Sequence, residues 1–194
     1  MPAFYPPAAR ALQDEFDSRR LADRLEQMIV HQAFTPGDAE FIQRQRHFFL
    51  ATVDAAGQPQ CSFKGGDPGF VRVTGERELL FPCYDGNGMF LSTGNVAATG
   101  KAGLLFCDFE AGKRLRVNGT ATLLRGDPRQ REFPGAFLLV RVEAEAIFGN
   151  CPRYLPRYAL VEASPYVPRA GCVPPEPEWK SRPGLAEVLP RARG

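Results

Sequence analysis

The stretch HFFLATVDAAGQPQCSFKGG, residues 47 to 66, decides the fold. Its first part, His47 to Asp54, is an apolar run rich in Phe, Leu, Thr and Val, and the segment 55–58 interrupts that run with a glycine-containing turn. Pro59 to Lys64 resumes the extended pattern, and a pair of glycines ends it. Two β-rich runs around a short turn predict an antiparallel hairpin.

The end of the second strand carries groups that suit an anion. Ser62 offers a hydroxyl, Lys64 a cation, and Gly65-Gly66 exposed backbone N–H groups, which together fit a phosphate or the pyrimidine edge of a flavin. An ordinary strand end with a solvated lysine explains the same residues, because Lys and Gly commonly terminate strands. From these residues alone, the ordinary strand end is the favoured interpretation.

Composition indicates one domain with appendages. The chain has 194 residues, 44% hydrophobic and 24% charged, which is enough for a real core. A net charge of +2 with scattered basic residues argues against nucleic acid, and only two histidines argue against a His-rich metal site. Five cysteines without C-x-x-C spacing fit a reducing compartment, and no apolar run reaches membrane-spanning length. We therefore expect a cytoplasmic protein without metal, nucleic-acid or membrane partners.

Helices are expected mainly before the hairpin. Residues 1 to 9 hold three prolines and predict an extended arm, and Arg10 to Val30 has the apolar spacing of one amphipathic helix. The segment Thr35-Pro36-Gly37-Asp38 predicts the start of a further helix. Its Thr fits the N-cap, its Pro the first helical position, and its Asp the positive helix end.

Short strands separated by polar or glycine-rich turns are expected after the hairpin. They are predicted at Pro68–Thr74, at Leu79–Phe81 with a stop at Pro82, and at Ala102–Phe109, Arg114–Leu124 and Ala136–Phe148, with one helical turn at Asn95–Ala98. Six or seven hairpin-linked strands predict an antiparallel barrel filled by its own side chains. A large ligand would then bind outside the barrel or between two copies.

The chain beyond Gly149 is proline-rich, which prevents long helices or central strands. Such a tail needs another surface to lie on. The expected organisation is an N-terminal arm and amphipathic helix (1–35), a barrel domain (36–160) and a proline-rich C-terminal tail (161–194).

Three further constellations each have an ordinary alternative. The loop Tyr84–Gly88, with Ser92, Thr93 and Lys101 after it, can cradle an anion or simply turn the chain. Arg114 and Arg116 share one strand face, which can meet an anionic group or a partner subunit, although period-2 charge is typical of a solvated sheet face. The segment Asn150–Tyr154 can hold a reactive cysteine or start a helix at its proline.

Taken together, four stretches resemble the pyridoxamine 5′-phosphate oxidase-like family, the FMN-binding split barrels. They are FFLATVDAAGQPQCSFKGGDPGFVRV (48–73), LLFPCYDGNGMFLSTGN (79–95), AGLLFCDF (102–109) and RLRVNGTATL (114–123), in the family's order. The later element NCPRY is similar to one branch of the family.

This resemblance implies a mainly β fold, a six-stranded antiparallel split β-barrel with N-terminal helices. It also implies a homodimer that binds FMN in grooves at the dimer interface. Ser62, Phe63 and Lys64 would line the isoalloxazine ring, and Asn87, Ser92 and Asn95 would lie near the ribityl chain or phosphate. Arg116 and Asn118 would face the partner's flavin. These residues, together with Lys101, are the expected cofactor-binding set.

Two departures from the family pattern limit the expected function. Relatives often carry an arginine where this chain has Gly88, so Lys64, Arg46 or Lys101 would have to supply the missing charge. Pro183 to Arg193 only faintly echoes the arginine-rich signature of the oxidase proper, which argues against pyridoxamine-phosphate oxidation. The resemblance therefore implies an FMN-dependent oxidoreductase with a small unidentified substrate and no assignable catalytic acid or base. The alternative is a non-catalytic flavin- or haem-binding module for storage or sensing, and F420 in place of FMN stays open.

Overall fold

The computed structural model describes residues 3–190. Arg191 and Arg193, part of the faint C-terminal echo, lie outside the described residues. Four helices, α1 to α4, span Pro7–Glu15, Arg19–Ile29, Pro36–Arg44 and Leu91–Thr99. Seven strands, β1 to β7, span His47–Val53, Pro59–Gly65, Arg72–Val73, Glu78–Cys83, Lys101–Asp108, Lys113–Leu124 and Leu138–Gly149. Short 3-10 helices lie at Pro128–Glu132, Glu178–Ser181 and Ala186–Val188.

The strands form one antiparallel sheet in the order β2-β1-β5-β6-β7-β4-β3. The prediction of a mainly β, antiparallel fold with N-terminal helices is confirmed. The expected six-stranded split barrel is wrong in its strand number and in its closure, because the sheet has seven strands and its edge strands β2 and β3 do not pair. The expected strand Pro68–Thr74 is reduced to Arg72–Val73, since a turn closed by the Phe70 amide on the Asp67 carbonyl (3.0 Å) precedes it. Of the described strands, β3 is two residues long and pairs only with β4, so the sheet ends there.

The opening hairpin is confirmed. β1 and β2 pair from His47 opposite Gly65 to Val53 opposite Pro59. The Asp54 carboxylate accepts hydrogen bonds from the backbone N–H groups of Ala56 (2.8 Å) and Gln58 (2.9 Å), which fixes the turn.

The interior of the curved sheet is filled with side chains. Phe48 on β1 is fully buried and packs against Phe81 (5.0 Å between ring centroids) and Phe106 (5.2 Å). Leu104 and Val117 continue this core on the neighbouring strands. Within the described residues, these side chains occupy the interior, as expected for a small sheet structure.

Pro82 does not stop its strand, contrary to the prediction. It lies within β4 and pairs with Leu139 of β7. Proline is tolerated here because β3 pairs with β4 only at Leu79 and Leu80, so beyond Leu80 one side of β4 has no strand neighbour.

The predicted helical turn at Asn95–Ala98 is the middle of the nine-residue helix α4. Asn95 Nδ2 donates to Thr52 Oγ1 (3.2 Å), and Thr99 Oγ1 donates to the Val53 carbonyl (2.8 Å). These contacts fasten α4 to β1, so tertiary structure extends a segment of weak helix formers.

The N-terminal prediction is partly wrong. Helix begins at Pro7 rather than after an extended arm, and the expected single helix 10–30 is two helices broken at Asp17, whose φ of 47° is left-handed. The predicted start of α3 is confirmed by a capping box between Thr35 and Asp38. Large apolar side chains of α1 and α2 are exposed, namely Leu12, Phe16, Leu21, Leu25, Met28 and Ile29. Within residues 3–190, no helix combines the length and apolar character needed to cross a bilayer.

Candidate functional site

A cleft of about 1510 Å³ lies against the edge strand β2. One wall is formed by β2 and the residues that follow it, and a second wall by the segment 82–93. The C-terminal tail provides the third wall, with residues between 160 and 168 and between 176 and 190.

Alternation along β2 separates its three predicted site residues. Ser62 and Lys64 lie opposite Leu50 and Phe48, whose side chains belong to the core, so both extend the core-facing side of the sheet to its open edge. Phe63 projects from the other face and is 64% exposed. All three border the cleft, but only Ser62 and Lys64 share a side of the strand.

Lys64 is a half-buried ammonium group without a charged partner. Among residues 3–190, neither a carboxylate nor a hydrogen-bond acceptor pairs with it. Burial lowers the pKa of Lys64 below its usual range, because desolvation penalises the charged form. Burial likewise raises the pKa of the neighbouring Cys83 thiol to about 11, with the charge of Lys64 opposing that shift. Cys83 is therefore a neutral thiol at neutral pH, not a nucleophile.

Two serines connect β2 to α4 at the cleft. Ser62 Oγ and Ser92 Oγ are 2.8 Å apart, and Ser92 lies in the first turn of α4. Among residues 3–190, no side chain caps this helix by a hydrogen bond, and its N-cap residue Phe90 has a left-handed φ of 53°. The first amide groups of a helix have no intrahelical partner and carry partial positive charge. The start of α4 is thus able to receive a phosphate.

The glycine-rich loop shapes the entry into α4. Asn87 is exposed, and its Oδ1 accepts a hydrogen bond from the Met89 amide (3.1 Å). Gly88 has a φ of 73°, which glycine adopts without strain and an arginine would not. The loop backbone therefore favours glycine at the position where relatives often carry the cation.

Of the cations considered as substitutes for that arginine, only one is available in the cleft. Arg46 borders the cleft but pairs with Asp67 at 3.2 Å. Lys101 does not line it. Lys64 does line it and is unpaired within the described chain. The Gly66 amide, expected to be exposed, donates to the Arg46 carbonyl instead (2.9 Å).

The predicted cofactor residues thus fall into two groups. The cleft group is Ser62, Lys64, Asn87 and Ser92. The outer-face group is Lys101, Arg116 and Asn118, which alternate with buried residues on β5 and β6 and lie away from the core. Phe63 aligns with Phe49, Leu105 and Arg116 in one row across the sheet, so it joins the two groups. Asn95 belongs to neither, because it is hydrogen-bonded to Thr52.

Sequence reasoning missed residues that only the folded tail brings to the cleft. Trp179 and Tyr166 line it, and Lys180 Nζ lies 2.6 Å from the Asp85 carboxylate on the opposite wall. A proline-rich segment has no periodicity from which such a position can be read. The single tryptophan of the chain was the available signal, since a lone large aromatic in a polar tail needs a surface to cover it.

His47 also borders the cleft. Its ring is stacked between Phe63 (5.4 Å, 11° between planes) and Phe109 (5.7 Å, 8°). Burial lowers the pKa of His47, so the imidazole is neutral at neutral pH. In the described part of the chain, no three His, Cys, Asp or Glu side chains cluster closely enough to hold a metal ion.

The sequence model of one family matches residues 34–165, more than half of the chain, and its description is pyridoxamine 5′-phosphate oxidase. This chain belongs to the pyridoxamine 5′-phosphate oxidase family. The match agrees with the resemblance found in the sequence. Residues 166–190 of this family member lie beyond the match, although several of them line the cleft.

Solved structures are similar to this chain at low identity. HupZ from Group A Streptococcus is 22% identical, with a TM-score of 0.48 over 60% of this chain and 93% of its own. HutZ, the haem storage protein of Vibrio cholerae, is 19% identical, with a TM-score of 0.44 over 60% of this chain and 94% of its own. An FMN-binding protein from Syntrophomonas wolfei is 14% identical, with a TM-score of 0.43 over 73% and 96%. Likeness at this level does not identify a ligand. Comparison with curated protein sequences finds no match.

Proposed function

We propose that this family member is an FMN-binding oxidoreductase that transfers hydride between the flavin and a small substrate. The observation that carries this proposal is the unpaired, half-buried ammonium of Lys64 beside the Ser62–Ser92 hydroxyl pair. A desolvated charge without a partner costs free energy, and an anionic ligand offsets that cost. FMN provides both a phosphate and a pyrimidine edge that becomes negative on reduction.

The residues of the cleft fit FMN in kind. The uncapped start of α4, with Ser92, would hold the phosphate, and Ser62 and Lys64 would face the ring. When bound, the flavin supplies the hydride-transfer chemistry. Lys64 would stabilise negative charge at the pyrimidine edge. Asn95 acts indirectly in this arrangement, because it holds α4 against β1.

We further propose a homodimer through the outer face of the sheet. Phe63 is 64% exposed there, in a row with the half-buried Phe49 and Leu105. A contiguous apolar surface of this kind is typical of an interface. A second copy packed on it would place Arg116 and Asn118 at the other subunit's flavin.

An absorbance spectrum of the purified protein tests the flavin proposal. We expect flavin bands, and mass analysis of the small molecule released on denaturation identifies FMN, F420 or another group. Turnover of the bound flavin with NADH or NADPH and an acceptor tests catalysis. A protein that is colourless as purified, and colourless again after incubation with FMN and removal of unbound FMN, would overturn the proposal.

A haem-binding module on the same fold is the second candidate. His47 favours it, because a neutral imidazole at the rim of the cleft could coordinate haem iron. Its ring would have to leave the stack between Phe63 and Phe109 to reach a ligand. Titration with haemin separates the two candidates, because a Soret shift that His47→Ala abolishes and Lys64→Ala preserves would support haem.

A further inference from the structure

The C-terminal tail, residues 160–190, forms a wall of the cleft that the family match does not cover beyond residue 165. We call this segment the tail wall. Its cleft-lining residues are largely apolar or aromatic and include Leu160, Tyr166, Trp179, Leu185, Val188 and Leu189. The tail wall therefore forms part of any binding site in the cleft.

Two ionic contacts hold the tail wall against the body. Arg169 makes a bidentate pair with Asp67 (2.6 and 3.0 Å), and Lys180 pairs with Asp85 at 2.6 Å. Both acceptors adjoin the proposed flavin residues, because Asp67 follows the end of β2 and Asp85 precedes Asn87. The anchors thus lie at the rim of the cleft.

A hydrogen bond from the Leu160 N–H to the Glu110 carboxylate (3.2 Å) holds the beginning of the tail wall, and the rest of it is loosely attached. No strand of the described residues pairs it with the sheet, and its one isolated bridge, Arg169 with Cys172, is internal. Lys180 is well covered, but its partner Asp85 is 76% exposed, and an ion pair with such a solvated partner is worth little. Breaking the Lys180–Asp85 ion pair therefore costs little free energy, while the bidentate Arg169–Asp67 contact keeps the segment attached.

The two sides of the cleft present apolar surface to each other. On the tail wall, Tyr166 is 48% exposed and Val188 73%, and on the opposite loop Met89 is 62% and Phe90 48% exposed. Trp179 lies among them and is only partly covered. A planar ring inserted between these sides would remove this surface from water.

We propose that the tail wall is a movable part of the ligand site and that Trp179 contacts the planar ring held between it and β2. The ring enters when Lys180 separates from Asp85 and is covered when the pair forms again. This inference rests on the proposed flavin function and adds a ligand-contacting residue outside the family match.

The single tryptophan allows a direct test. Trp179→Leu removes the indole, and we expect about tenfold weaker FMN binding, the scale of a lost aromatic stacking contact with its buried area. Trp179→Phe should retain most of the affinity. An indole in contact quenches flavin emission by electron transfer, so the bound flavin should fluoresce more strongly in both variants. Tyr154→Leu is the matched control, because Tyr154 is an aromatic residue just before the tail wall that is 88% exposed and does not line the cleft.

Stopped-flow mixing with FMN tests the movement. Lys180→Gln should raise the association and dissociation rate constants together, by several-fold, with a smaller change in Kd. The charge-exchanged pair Lys180→Asp with Asp85→Lys should restore the slow rates. Lys113→Gln removes an exposed lysine outside the cleft and should leave the rates unchanged.

The outcomes separate the two proposals. Wild-type protein that binds no FMN refutes the flavin function, and the tail wall proposal falls with it. Wild-type protein that binds FMN, with Kd and bound-flavin emission unchanged in Trp179→Leu, refutes the tail wall alone. Equal melting temperatures of wild type and Trp179→Leu exclude misfolding, and Trp179→Phe gives the same emission test if the Leu variant is unstable.

Discussion

The cleft group and the outer-face group contain similar residues in opposite settings. Ser62 and Lys64 lie on the core side of β2 at the open edge of the sheet, whereas Arg116 and Asn118 lie on the far side of β6. Because the sheet stands between them, one chain does not bring both groups to one ligand. If both bind flavin, as proposed, they meet only where two copies pack together.

The electrostatic cost of a cation also differs between the two groups. Burial lowers the pKa of Lys64, and no acid compensates it within the described chain. Lys101 is exposed to water, and Arg116 lies over the ring of Phe148 at 5.9 Å. Water already stabilises the charge of an exposed lysine, whereas a bound anion lowers the free energy of a desolvated one. Burial, more than residue type, is therefore the reason why we propose the cleft group as the binding side.

Lys64→Ala should have the largest effect. Removing a charge-assisted contact should weaken FMN binding by about 10- to 100-fold while the protein keeps its oligomeric state. Flavin fluorescence titration and size-exclusion chromatography measure the two properties. Lys113→Ala is the control for loss of one positive charge. Unchanged binding in Lys64→Ala would mean that the flavin site is assigned to the wrong side of the sheet.

Mixed dimers test whether the two groups belong to different subunits. A dimer of one Lys64→Ala chain and one Arg116→Ala chain should have one site with both defects and one intact site. Half of the sites should therefore bind FMN with wild-type affinity, as measured on heterodimers purified with two different tags. Two weakened sites, one lacking Lys64 and the other lacking Arg116, would place both residues in one chain's site.

The pH dependence of binding should report Lys64. The ammonium form binds the anion, so FMN affinity should be highest below the lowered pKa of Lys64 in the free protein and fall as pH rises through it. In Lys64→Met, this fall of FMN affinity should be absent, and the pH dependence caused by other groups should remain. Kd measured from neutral to alkaline pH in both proteins provides the comparison, and parallel profiles would argue against the role of Lys64.

The Lys64 ammonium should lower the stability of the free protein and strengthen FMN binding. Without ligand, the folded-state pKa of Lys64 lies below its unfolded value, so its charged form opposes folding below that pKa and the penalty disappears as pH rises. Lys64→Met should therefore melt at a slightly higher temperature than wild type at neutral pH without FMN, and lower with saturating FMN. If the same protein has the higher melting temperature both with and without FMN, a ligand-binding role of Lys64 is contradicted.

Lys101→Ala should have the smallest effect. Its ammonium is exposed at the start of β5 and outside the cleft, so FMN affinity should change by less than about twofold. The comparison with Lys64→Ala uses the same titration. A loss as large as that of Lys64→Ala would require that the partner's flavin lies close to the start of β5.

Local signals in the sequence predicted the elements that depend on local chemistry. The hairpin followed from two β-rich runs around a glycine-containing turn, and α3 from its capping residues Thr35 and Asp38. Elements stabilised from outside were misjudged. α4 is longer than its own residues suggest because Asn95 and Thr99 bond to β1, and Pro82 continues a strand because its neighbour on that side is missing.

The sequence by itself predicted the family and the antiparallel strands, and it named the residues of the cleft group among its candidates, because period-2 alternation and short motifs lie within a few neighbouring residues. Only the tertiary structure decided that the sheet stays open, that Arg116 and Asn118 face away from Lys64, and that the tail reaches the cleft. Each of these depends on contacts between distant segments, such as Lys180 with Asp85, for which a single chain carries no periodic signal. The hairpin of residues 47 to 66 thus contains Lys64, and the surrounding fold desolvates its ammonium group. Desolvation of an unpaired charge would favour binding of an anion.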